Sequence, residues 1–166
     1  MKVLLIITFV FFLATAFSQK PCAYPINTSR RDPSELIDSL EKQQVKTSNK
    51  KKHIPKFIRK NLDCWTGKFR VANPGKPYQA TDFVDGGFRH TPIRQLTYLG
   101  LNRHYLILTY KKGGRGANDF ILLFKFENKK ILEFWIGSGV RLSSYEEVIY
   151  ILKNYGDKLN SSNLYL

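Results

Sequence analysis

The chain has 166 residues, 43% of them hydrophobic, and a formal net charge of +14 at pH 7. Its two cysteines, without clustered histidines or further cysteines, exclude a structural zinc site of their own making. The length suits one domain with a sizeable core, and no apolar run beyond the N-terminus is long enough to cross a bilayer.

Met1–Ser18 reads as an export signal. Lys2 supplies the positive start, Val3–Ala14 is apolar except for Thr8, and Ala16-Phe17-Ser18 has the small-x-small pattern a signal peptidase needs. Cleavage near Ser18/Gln19 is expected, leaving no transmembrane segment and placing the protein in the periplasm or outside the cell. Cys22 follows Gln19-Lys20-Pro21, which does not match a lipid-attachment site. The remaining chain divides into an N-terminal extension (19–31), a single α+β domain (32–160) and a tail (161–166). In an oxidising compartment an even cysteine count favours pairing, so a Cys22–Cys64 disulfide is expected. It closes a loop of about 43 residues, for which the chain-entropy argument gives roughly 4 kcal/mol.

Asp32-Pro33-Ser34-Glu35 opens a helix: Asp32 caps, Pro33 takes the first helical position and Glu35 reaches back. Leu36, Ile37, Leu40 and Val45 form its apolar stripe, and it fades near Thr47. Ser48–His53 reads as an exposed linker, with His53 solvated, and Pro55–Leu62 as a second helix turning Phe57, Ile58 and Leu62 inward. Strands are expected over Trp65–Ala72, Tyr78–Val84 and Ile93–Leu99, with turns at Asn73–Pro77, Asp85-Gly86-Gly87 and Gly100-Leu101-Asn102.

Arg103–Tyr110, Asp119–Phe126 and Lys130–Ile136 carry period-two alternation. Phe120, Leu122, Phe124 and Phe126 share one face of the middle strand, and Ile121, Leu123 and Lys125 the other, which predicts a strand covered on both sides. Leu106 and Leu108 share a face opposite Tyr105 and Ile107. In the last strand Leu132, Phe134 and Ile136 are set against Ile131, Glu133 and Trp135. The short Glu127-Asn128-Lys129 link makes the last two strands antiparallel neighbours. Lys111–Asn118 is a glycine-rich hairpin loop. It lacks the Gly-Lys-Ser/Thr ending and the following helix of a phosphate loop. Ser143 with Glu146, and Ser144 with Glu147, form overlapping capping boxes for a last helix. Its stripe is Tyr145, Val148, Ile149, Leu152 and Tyr155, with Gly156 as its C-cap.

The predicted fold is therefore α+β, with two N-terminal helices, an antiparallel five- or six-stranded meander and a C-terminal helix packed on the sheet. All pairings are expected to be antiparallel because the connections are short.

The charge is uneven. Residues 42–76 hold eleven Lys or Arg against one acid, Asp63. Lys50, Lys51, Lys52, Lys56, Arg59 and Lys60, with Arg115 in the glycine-rich loop, form the candidate binding set for an anionic envelope component or an acidic protein. A solvated face is the bland reading of the same run. Export disfavours nucleic acid as a partner, and the chain carries neither an RNA-binding aromatic motif nor a helix-turn-helix.

Enzyme candidates are few. Asp82, Asp85 and His90 surround Gly86-Gly87 and could bind a metal or run acid–base chemistry, although Asp beside Gly is ordinary turn chemistry. His104 is placed in a strand on the face of Leu106 and Leu108. Ser138 lies in Gly-Ser-Gly, but the Gly-x-Ser-x-Gly elbow is absent. No cofactor is implied. Composition thus points first to an exported, non-catalytic binding module. The alternatives are a hydrolase or metal-dependent enzyme using Asp82, Asp85 and His90, and a cell-envelope structural protein.

Overall fold

The computed structural model describes Cys22 and residues 33–81, 91–114 and 117–159. A six-stranded sheet lies between two helical layers, and the chain is α+β. In chain order the elements are α1 (Ser34–Glu41), β1 (Lys46–Thr47), a 3₁₀ turn (Lys51–His53), α2 (Lys56–Thr66), β2 (Val71–Ala72), β3 (Arg94–Leu101), β4 (Tyr105–Lys112), β5 (Asn118–Glu127), β6 (Lys130–Ser138) and α3 (Tyr145–Leu159). The strands run β1-β3-β4-β5-β6, and β2 also pairs with β3. The four long strands form an antiparallel meander. β1 and β2 share the outer edge of β3: β1 pairs antiparallel with Gly100–Leu101 and β2 parallel with Arg94–Gln95.

The central strands are buried on both faces because their side chains alternate between two apolar sets. On one face Leu106, Leu108, Phe120, Leu122, Phe124 and Phe126 pack under Ile58 and Leu62 of α2. On the other Tyr105, Ile107, Ile121 and Leu123 pack under Leu36, Ile37 and Leu40 of α1 and Val148, Ile149 and Leu152 of α3. The helices before the meander therefore lie on opposite faces, with a two-residue strand and a 3₁₀ turn between them. α3 packs back on the sheet as expected.

Departures from the sequence expectations have local causes. Trp65 belongs to α2, not to a strand. It extends the Ile58–Leu62 stripe at helical spacing and packs its ring 4.9 Å from Phe134 and 6.2 Å from Phe124. Gly67, at φ 77°, ends the helix, and Asp63 Oδ1 accepts the Phe69 N–H at 2.8 Å, so only Val71–Ala72 is left to form a strand. α1 stops at Glu41 because Lys46 and Thr47 satisfy the open edge of β3. This removes Val45 from the helix. Pro33 is the residue before the first helical turn, and Asp32 lies outside the described residues. The parallel β2–β3 pair corrects the all-antiparallel expectation; the chain between them is long enough for a crossover. Tyr78–Thr81 forms no strand, and Asp82–Val84 lies outside the described residues. β3 continues through Gly100 and Leu101. The turn falls at Asn102, whose Oδ1 accepts the N–H groups of His104 and Tyr105 at 2.8 and 2.7 Å. His104 is thus a turn residue, not a strand residue.

Two bulges shift the face pattern. One lies between Leu96 and Tyr98, where the Thr97 hydroxyl meets that of Thr109 at 2.7 Å. The other shifts β6 against Lys125 and Phe126. Ile131 therefore opposes Phe126 and enters the α2-side core, while Leu132 is 48% exposed, reversing the expected roles of the two residues. The β5–β6 link places Asn128 and Lys129 at positive φ, as a tight two-residue hairpin turn requires.

Of the two capping boxes, the Ser144–Glu147 one forms at the start of α3. Ser144 Oγ accepts the Glu147 N–H, and Glu147 Oε2 reaches past it to the Ser143 N–H at 2.7 Å. Gly156 is not a C-cap. It lies within α3, where a Cβ would sit 3.0 Å from Pro33 Cγ, so it permits the close approach of α1 and α3. Tyr155 is exposed rather than inward. Tyr145 is half-buried and donates its hydroxyl to Leu40 O at 2.8 Å, joining α3 to α1.

Cys22 and Cys64 are joined, with Cα atoms 5.8 Å apart, and the bridge fits an oxidising, exported location. Two expectations follow. Phe124→Ala should cost about 3–5 kcal/mol in urea unfolding, whereas Leu132→Ala should cost under about 0.5 kcal/mol. A large loss at Leu132 would restore the unbulged register. Replacing both cysteines by serine should lower stability by roughly 2–4 kcal/mol; equal urea midpoints for the two chains would show that the bridge restrains nothing.

Candidate functional site

The basic segment spreads over the linker, the 3₁₀ turn, α2 and the approach to β2. Lys50, Lys51, Lys52, Lys56 and Lys60 are exposed, and Arg59 is half-buried. The fold gathers only part of this set. Lys51 and Arg59 meet Arg70 around a groove of about 400 Å³, completed by Ile54, Phe69, Val71 and Pro92. Each basic residue comes from a different element: Lys51 from the 3₁₀ turn, Arg59 from α2, and Arg70 from the stretch entering β2. Arg59 Nη2 donates to Lys51 O at 2.8 Å, and the Lys51 N–H donates to Asn73 Oδ1 at 2.8 Å. These bonds tie the three elements together and hold the Arg59 guanidinium at the groove wall. No acidic side chain is among the described lining residues.

Arg70 is the residue the site prediction missed. Its signal was its alternation with Phe69 and Val71, which buries those two neighbours and turns Arg70 outward. Lys50, Lys52, Lys56 and Lys60 do not line the groove and add long-range field alone. Arg115 lies outside the described residues.

Behind the groove lies a second positive element. Arg94 is 4% exposed, and its guanidinium sits 4.9 Å from the Phe69 ring centroid. Burial lowers its pKa, opposed by the neighbouring Tyr110. Burial raises the pKa of the fully buried Tyr110 phenol, and Arg94 counters part of that rise. Lys112, close by, is held below its ordinary value first by burial and then by the Arg94 charge.

The enzyme candidates are only partly described. Asp82, Asp85 and His90 lie outside the described residues. The chain on either side of that segment bonds at the glycine-rich end of β4, through Gly114 N–H to Ala80 O and Gly113 N–H to Ile93 O. His104 stands at the other end of β4, in a small pocket of about 220 Å³ with Phe57, Arg103 and the β5–β6 turn. His53 is exposed, and its Nδ1 lies 2.5 Å from Ser48 Oγ. The Ser48 hydroxyl also meets the Lys50 N–H at 3.4 Å, so this pair organises the linker. Ser138 ends β6 and is half-buried. Among the described residues no three His, Cys, Asp or Glu side chains converge as a metal site, and no helix is long and apolar enough to cross a membrane.

No family model matches the chain, and no curated protein or solved structure matches it.

The buried phenol has an alkaline consequence. Tyr110 titrates above the ordinary tyrosine value of about 10 in the native state, so its stabilising contribution is intact below that pH and is lost as pH rises through the native pKa. Urea midpoints should therefore fall more steeply between about pH 10 and 11 in the wild type than in Tyr110→Phe. Lys112, held low, acts in the opposite direction in both chains and cancels in the comparison. Parallel curves for the two proteins would contradict this assignment.

Proposed function

We propose that this chain is a small exported binding protein without catalysis, which holds an anionic envelope component or an acidic protein through residues 42–76. The convergence of Lys51, Arg59 and Arg70 from three elements on one groove is the observation that supports it best. A merely solvated face requires no such convergence, because isolated surface lysines aid solubility wherever they stand. All the basic residues of this segment except Arg59 are exposed, so their field reaches solvent and steers anions toward the α2 side. The disulfide holds the C-terminal end of the same helix and fits an oxidising compartment in which such a partner would be met.

The test is retention of the chain without its export signal on cell-envelope fractions at low and high salt. Retention should be strong near 0.05 M and lost by about 0.5 M salt, because the Debye length shrinks severalfold over that range. Replacing Lys51, Arg59 and Arg70 together by Gln should abolish retention at low salt. Retention that ignores salt would remove the basic segment from the function, and retention that survives the triple replacement would remove the groove from it.

A further inference from the structure

The groove joins two kinds of wall. One is cationic, formed by Lys51, Arg59 and Arg70; the other is apolar, formed chiefly by Ile54, Phe69 and Val71. Two arginines and a lysine lining one small groove bring more positive charge than a single carboxylate needs. They match an oxyanion with two charges and several acceptor oxygens, which arginine engages through its planar fork. The Arg59 guanidinium is preorganised by its 2.8 Å bond to Lys51 O, and the backbone of Lys51 is held in turn by its N–H bond to Asn73 Oδ1. The apolar wall is rigid as well. Phe69 is 5% exposed and packs edge-on to Tyr110 at 5.4 Å, while Arg94 lies over its ring.

We propose that this groove binds a phosphate monoester carrying an apolar or aromatic substituent. The phosphate sits among Lys51, Arg59 and Arg70, and the substituent lies against Ile54, Phe69 and Val71. The proposal rests on the basic segment being a binding surface and narrows that surface to one groove and one ligand chemistry. A lipid headgroup and a free phosphoester share this chemistry, and the experiment separates them.

The chain without its export signal would be titrated with phenyl phosphate, with inorganic phosphate, and with phosphatidylcholine vesicles with and without phosphatidic acid. Its salt-dependent retention on envelope fractions would be measured in parallel. Phenyl phosphate should bind at least about tenfold more tightly than inorganic phosphate, through added apolar contact. Arg59→Gln and Arg70→Gln should each weaken it about tenfold. Arg59→Lys, which keeps the charge and loses the fork, should fall between wild type and Arg59→Gln, while Lys158→Gln on the opposite helical layer should stay within about twofold. Thermal melts matching the wild type would confirm that the variants fold. Binding of phosphatidic acid vesicles that depends on Arg59 and Arg70 assigns the ligand to a lipid surface; phenyl phosphate binding without it assigns a free phosphoester. Equal affinity for phenyl and inorganic phosphate would overturn the proposal. So would phenyl phosphate binding that is indifferent to Arg59 and Arg70. Failure of both phosphate probes with salt-dependent envelope retention intact overturns the groove proposal and leaves the broader reading standing. Loss of that retention as well overturns both.

Discussion

Burial of β4 and β5 on both faces is the constraint on which the rest of the structure depends. Two adjacent strands with apolar residues at nearly every position cannot leave either face to water, because each exposed Leu or Phe forfeits about 1.5–3 kcal/mol of transfer free energy. Leu106 through Leu108 and Ile121, Leu122 and Phe124 are 0% exposed. Both faces must therefore be roofed, and the chain supplies the roofs from its two ends: α2 on one side, α1 and α3 on the other. Placing α1 and α2 on opposite sides forces the linker between them to pass around the edge of β3. It does so by forming β1 and then the 3₁₀ turn.

That passage around the edge explains where the charge lies. The linker and the entry to β2 run along the β3 border of the sheet, where β1, the Ser48 N–H and β2 bond the backbone of β3. At the entry to β2, Phe69 and Val71 turn into the α2-side core and Arg70 turns to solvent, which puts Arg70 beside Lys51 and Arg59. Edge strands also tend to carry cationic side chains, which discourage pairing with other chains. Protection of an edge alone, however, does not require Arg59 to reach across from α2 to the Lys51 carbonyl. That bond draws separate cations into one groove.

The antiparallel meander of the four long strands and the two-sided burial of β5 were legible because period-two alternation is intact over Phe120–Phe124 and Tyr105–Leu108. What the pattern could not carry were its interruptions. A bulge adds one residue without changing composition, so Leu132 and Ile131 exchange roles with nothing in the sequence to announce it. Trp65 was read as strand because aromatic residues favour strands, but its spacing from Ile58 and Leu62 continued a helix; periodicity outranks propensity here. Gly156 looked like a helix stop because glycine commonly is one. Its role is set by Pro33, more than a hundred residues earlier, and local sequence cannot report such a contact. The site was legible to the same extent. Lys51 and Arg59 were visible as charge, but their meeting with Arg70 depends on the parallel pairing of β2 with β3, a non-local event.

The disulfide and the groove act on the same helix from opposite ends. Cys64 lies in the last turn of α2, and Arg59 stands five residues earlier, facing the 3₁₀ turn. A short amphipathic helix of 11 residues is not stable by itself, so its position is set by what it packs on and what holds its ends. Ile58 and Leu62 seat it on the sheet, Trp65 anchors its final turn against Phe124 and Phe134, and Cys64 in that turn is bonded to Cys22. With Ile58, Leu62 and Trp65 packed along one face, rotation of α2 about its axis is suppressed, and Arg59 keeps its bearing on Lys51. In a chain this basic, the repulsion among neighbouring cations works to open the groove. The packing of α2 and the Arg59–Lys51 bond resist that opening, so the arrangement that concentrates positive charge persists in the absence of an anion to neutralise it.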